Sequence, residues 1–120
     1  TILERRDGQV EIRINVTGTE GDIQHPAHLH YGDVSTPDAE VALLLTPVLG
    51  STGESITITD QLNNEQLITY EDLLTFDGHI KVHQDNGPNK NVILASGNIG
   101  SAFTKSGNTG RQKIAVCKSE

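Results

Sequence analysis

Three of the five histidines fall within six positions, in His25-Pro-Ala-His-Leu-His30. Imidazole carries protons near neutral pH and ligates zinc, copper and nickel. Side chains alternate across an extended strand, so His28 and His30 share one face there, with Leu29 and Tyr31 on the other. The other two histidines stand in Asp77-Gly-His-Ile-Lys-Val-His83. There His79, Lys81 and His83 share a face opposite Ile80 and Val82. The pattern predicts that His28, His30 and His83 surround one metal ion, copper or zinc, with His25 or His79 as a fourth ligand or a supporting group. Three histidines also suit a catalytic metal with an open position. In the competing reading, His28 and His30 are hydrogen-bonded structural residues, while His79 and His83 face solvent. Lys81 works against a cation and ranks His83 above His79. Asp33, Asp77 and Asp85 flank both stretches and could orient imidazoles; taken singly, each is better explained as a turn former.

Other chemistries find little support. No Gly-x-Ser-x-Gly occurs, and no glycine-rich loop leads from a strand into a helix, which argues against a serine nucleophile and a phosphate cradle. Cys117 is the single cysteine, so there is no internal disulfide and no cysteine zinc site. It reads as a small buried hydrophobe. The formal charge of −7 opposes nucleic acid or an anionic membrane as partner. No stretch approaches the roughly 20 apolar residues of a spanning helix. The chain opens on Thr1-Ile-Leu, which reads as trimmed, so a missing leader says little.

The elements that must position the histidines are mostly strands. At 120 residues, with 34% hydrophobic and 3% aromatic residues, the chain predicts one domain over 1–120. Its core is built from Val, Ile, Leu and Ala, which suits two packed sheets. Val10, Ile12, Ile14 and Val16 alternate with Glu11, Arg13 and Asn15, predicting a strand with one buried and one wet face. The histidine stretch is the next strand, and Pro26 puts it at an edge or a bulge. Residues 40–46 read as a strand buried on both faces and closed by Pro47. Ser55-Ile-Thr-Ile-Thr59 reads as a strand with Ile56 and Ile58 inward. Thr69, with Glu71 and Asp72 after it, predicts a capped helix of one or two turns. Strands at about 79–84, 92–96 and 112–117 follow, with a glycine-flanked corner at 97–100 and a loop at 101–110. The predicted fold is an all-β, antiparallel Greek-key β-sandwich of about seven strands with one short helix.

Two blocks resemble the chordin-type (CHRD) domain of bacterial secreted proteins and lipoproteins. Pro26-Ala-His-Leu-His-Tyr-Gly32, with Val41-Ala-Leu-Leu-Leu45, looks like that family's Ala-His-Ile-His-Gly block and the strand after it. Residues 69–100 resemble its short helix, Tyr-Val-Asn-Val-His and Gly-Glu-Ile-Arg-Gly segment, although Ser96-Gly-Asn-Ile-Gly100 lacks the Glu and Arg and His79 replaces the Tyr. The resemblance implies an exported, non-enzymatic binding or structural module. It leaves the ligand or protein partner unidentified and allows a homodimer through an edge strand. A second likeness is to copper/zinc superoxide dismutase, through His28-Leu-His-Tyr-Gly-Asp33, Lys81-Val-His83 and Thr104-Lys-Ser-Gly-Asn-Thr-Gly110. No histidine lies between Asp33 and His79, so that enzyme's zinc loop has no counterpart. The alternative function is a copper-only, dismutase-like enzyme using His28, His30 and His83.

Overall fold

Residues 1–85 and 87–105 are described in a computed structural model. Among these residues seven strands form two antiparallel sheets: β1 (Ile2–Glu4), β2 (Val10–Asn15), β3 (Gln24–Tyr31), β4 (Val41–Leu49), β5 (Glu54–Thr59), β6 (Asp77–His83) and β7 (Ile93–Ile99). Two short helices, α1 (Tyr70–Leu74) and α2 (Gly100–Lys105), complete the described chain. The smaller sheet has the order β1-β2-β5 and the larger β4-β3-β6-β7. The chain changes sheet between β2 and β3, β4 and β5, and β5 and β6, the over-and-back path of a Greek-key sandwich. The all-β sandwich expected from the alternating segments is therefore the fold.

The core lies between the sheets. Val10, Ile12 and Ile14 of β2, followed by Val16, form one buried row facing Ala27, Leu29, Ile80, Val82, Ala95 and Ile99 of the larger sheet. Arg13 and Asn15 are exposed, as a half-buried strand requires. Glu11 departs from this pattern: it is only 5% exposed although it points away from the core. Arg5 Nη1 lies 2.6 Å from Glu11 Oε1, and Arg13 Nε donates to Oε2, so two guanidinium groups cover the carboxylate. The Arg13 hydrogen bond, supported by Arg5, holds the Glu11 carboxyl below the usual carboxylate range.

The inward isoleucines expected in β5 face outward. Ser55 and Thr57 are buried, whereas Ile56 and Ile58 are 50% and 44% exposed. Register explains the reversal: Thr57 pairs with Ile12 and Ser55 with Ile14, so the hydroxyls share the inner face of β2. They also link the two sheets. Ser55 Oγ donates to the Thr46 carbonyl at 2.5 Å, and Thr46 N–H donates to Thr57 Oγ1 at 2.8 Å. The phase of the strand is set by these bonds to backbone groups of β4 rather than by the hydrophobicity of Ile56 and Ile58.

β4 also corrects an expectation. It runs through Pro47 to Leu49 and is buried on one face, with Leu44 62% exposed. As an edge strand it tolerates a proline that cannot donate to a ladder. Pro26 does sit at a bulge, where the β3–β4 register shifts between His25 and Ala27. It is not at an edge, however: β3 pairs with β4 on one side and β6 on the other. β7 continues through Gly97 to Ile99 where a corner was expected, and the start of the expected 101–110 loop is α2. The expected strand at 112–117, with Cys117, lies outside the described residues. β1 carries no alternation long enough to announce itself in sequence.

α1 has the anticipated capping box. Thr69 Oγ1 accepts from Asp72 N–H at 3.1 Å, and the Asp72 carboxylate accepts from Thr69 N–H at 2.9 Å. The fully buried Leu73 then anchors the helix over the core. Thr69→Ala should lower the unfolding free energy by about 1 kcal/mol in urea denaturation.

Candidate metal centre

β3 and β6 pair so that Ala27, Leu29, Ile80 and Val82 enter the core. The alternate residues necessarily emerge on the outer face of the larger sheet. His28 lies opposite Lys81 and His30 opposite His79, with His83 two residues beyond Lys81. This register brings one ring nitrogen from each of His28, His30 and His83 to within 4.8 Å of the others. The His28 ring lies 5.0 Å from that of His83 and 5.9 Å from that of His30, centroid to centroid. A tetrahedral ion with bonds of about 2.0–2.1 Å needs its nitrogens about 3.4 Å apart, within reach of small side-chain rotations.

Backbone carbonyls fix how the rings are presented. His30 Nδ1 lies 3.0 Å from the Ala39 carbonyl and His83 Nδ1 2.8 Å from the Lys90 carbonyl. A carbonyl only accepts, so Nδ1 carries the proton and donates in both rings. The lone pair is then on Nε2, and the Nε2 atoms of His30 and His83 are buried without a hydrogen-bond partner. A buried, unpaired acceptor on a ring whose tautomer is fixed from behind is the state a metal ligand needs.

His79 has the same arrangement, with Nδ1 2.7 Å from the Gly32 carbonyl and an unpartnered, buried Nε2. It stands outside the three-nitrogen cluster and stacks flat on His30, with centroids 4.9 Å apart and planes 8° from parallel. His25 is further removed. It pairs with Val48 on the core side of β3, and its Nδ1 meets the Gln84 carbonyl at 2.8 Å. The structure thus brings together His28, His30 and His83, puts His79 against His30, and leaves His25 on the opposite face.

Asp33 and Asp85 serve their own loops, the turn-forming role preferred for each taken singly. Asp33 Oδ1 accepts from Ser35 N–H at 3.1 Å and Ser35 Oγ at 2.6 Å, and Asp85 Oδ1 accepts from Gly87 and Asn89 N–H groups. Main-chain carbonyls of Gly32, Ala39 and Lys90 do the orienting instead. Sequence reasoning missed them because every residue has a carbonyl and only tertiary structure aims it. Two belong to the loop over residues 32–40, which is tied down by Gly32 N–H donating to the Asp77 carbonyl (2.8 Å) and Val34 N–H to Asn98 Oδ1 (2.7 Å). Gly32 takes φ +85°, and a Cβ there would lie 2.6 Å from Thr36 Oγ1. Glycine is therefore required where the loop leaves β3.

Burial lowers the pKa values of His28, His30 and His79 from the ordinary histidine value. The neighbouring His83 adds to this effect at His28, while His79 and Lys81 add to it at His30. Lys81 also lowers His79, against the Gly32 hydrogen bond and Asp33, which raise it. All three rings therefore hold a proton less readily than a free imidazole. For groups depressed in the folded state, stability is fully present above the unfolded value of about 6.5 and is lost as pH falls from there through the lowered values. The urea midpoint of metal-free protein should accordingly fall between pH 7.5 and 5.5. His79→Gln should flatten that profile; an unchanged slope would refute the assignment.

Compared with family models, with curated proteins and with solved structures, the chain matches none.

Proposed function

We propose that this domain is a transition-metal-binding module that holds one ion through His28, His30 and His83. The observation that carries the reading is the pair of buried, unpartnered Nε2 atoms on His30 and His83, each on a ring whose Nδ1–H is donated to a carbonyl, within one three-histidine cluster. Neutral imidazoles suit zinc and copper(II), and among the described residues no cysteine or carboxylate belongs to the cluster. The sandwich is the scaffold expected of an exported chordin-type module, and export with a ligand-binding role is part of the proposal. Calorimetric titration of zinc into the apo chain at pH 7.5 tests it. One saturating site per chain is expected; absence of saturable binding would leave the histidines as structural residues.

The open position of a three-ligand site supports a second reading, a copper-only, dismutase-like enzyme. Protein loaded with copper(II) should then consume superoxide faster than the same concentration of free copper.

A further inference from the structure

One residue in the site is at odds with a bare cation. Lys81 lies directly opposite His28 on the same face and between His79 and His83 in sequence. Directly opposed side chains have Cβ atoms about 4.5–5.5 Å apart, so the lysine stem rises beside the three converging rings. It is half-buried, and its charge acts on both His30 and His79. Among the described residues both ion pairs involve Glu11, and neither involves Lys81. With three imidazole ligands and, among the described residues, no carboxylate in the cluster, a divalent ion here keeps its full charge near the Lys81 ammonium. Like charges at this distance repel, the more so where water is partly excluded.

We propose that the site binds its metal together with a small coordinating anion. The anion fills the open position on the ion and pairs with the Lys81 ammonium. Three histidines leave a coordination position for it, and Lys81 shares the outer sheet face with the cluster, directly opposite His28. The anion then neutralises charge on both sides, so metal and anion each strengthen the other's binding, by the same factor in both directions. The ligand class is a small monovalent or divalent anion able to coordinate a metal and to accept hydrogen bonds. This inference rests on the metal-binding reading above.

The test uses cobalt(II) and azide, with perchlorate at equal ionic strength as a weakly coordinating control. Cobalt affinity is read from the d–d absorption of the apo chain and of Lys81→Gln. In the wild-type chain, saturating azide should tighten cobalt binding at least tenfold over perchlorate. In Lys81→Gln that gain should shrink severalfold, while cobalt in perchlorate binds as tightly as in the wild type or more tightly. Equal azide gains in the two proteins would overturn the proposal. So would weaker cobalt binding by Lys81→Gln in perchlorate, which would make the lysine a metal ligand. A chain that gives no histidine-dependent d–d band under any condition would fail the metal reading itself, a distinct outcome.

Discussion

Replacing His28 by alanine is expected to weaken zinc or cobalt binding by more than about 100-fold. Loss of a hydrogen-bond partner behind a ligand typically costs 10–100-fold, and loss of a ligand costs more. His28 is the best residue to remove because it is half-buried on the outer face, with its strand held by Ala27 and Leu29 on the other side. Far-UV circular dichroism should therefore be unchanged. His83→Ala should behave likewise. His25→Ala should leave affinity within severalfold, since that ring is bonded to the Gln84 carbonyl on the core side of β3. His79→Phe keeps a flat ring against His30 and should cost less than His79→Ala. Isothermal titration of the purified variants checks the order. Equal losses for His25→Ala and His28→Ala would refute the geometry.

The second large effect is on stability. Leu29 is fully buried, on the strand face opposite that of His28 and His30, and Leu29→Ala should cost about 2–5 kcal/mol of unfolding free energy. Leu44, paired with His28 but 62% exposed on the edge strand, should cost no more than about 0.5 kcal/mol when changed to alanine. The two leucines look alike in a sequence, and the contrast tests which face of β3 is the core. On the proposed reading, zinc at 100 times its dissociation constant should add about 2.7 kcal/mol to the folded state by mass action, so saturating zinc should restore much of what Leu29→Ala removes. Urea denaturation with and without metal measures both. No zinc-dependent shift in midpoint would mean that the folded site does not bind.

The sequence by itself determined the class of fold and the histidines from which the candidate site is drawn. Period-two alternation in β2 fixes a buried Val10, Ile12 and Ile14 row, because one residue of slip would expose all three. The same rule sends His28 and His30 to one face and His79, Lys81 and His83 to one face, whichever strands they meet. Local chemistry likewise determined the Thr69–Asp72 capping box, since both partners lie within four residues. Tertiary structure decided what local pattern cannot hold. Alternation specifies two faces but not which is inner, so the polar face of β5 could be drawn inward by the Thr46 backbone, leaving Ile56 and Ile58 outside. The cover over Glu11 depends on the β1–β2 turn, which brings Arg5 back beside Arg13 of Glu11's own strand. Above all, the antiparallel pairing of β3 with β6, distant in the chain, decided that His83 meets His28 and His30. Side-chain direction is a property of each strand's own backbone, whereas contact between strands belongs to the sheet. The carbonyls that set the ring tautomers are the extreme case, identical at every residue and given meaning only by where the folded chain aims them.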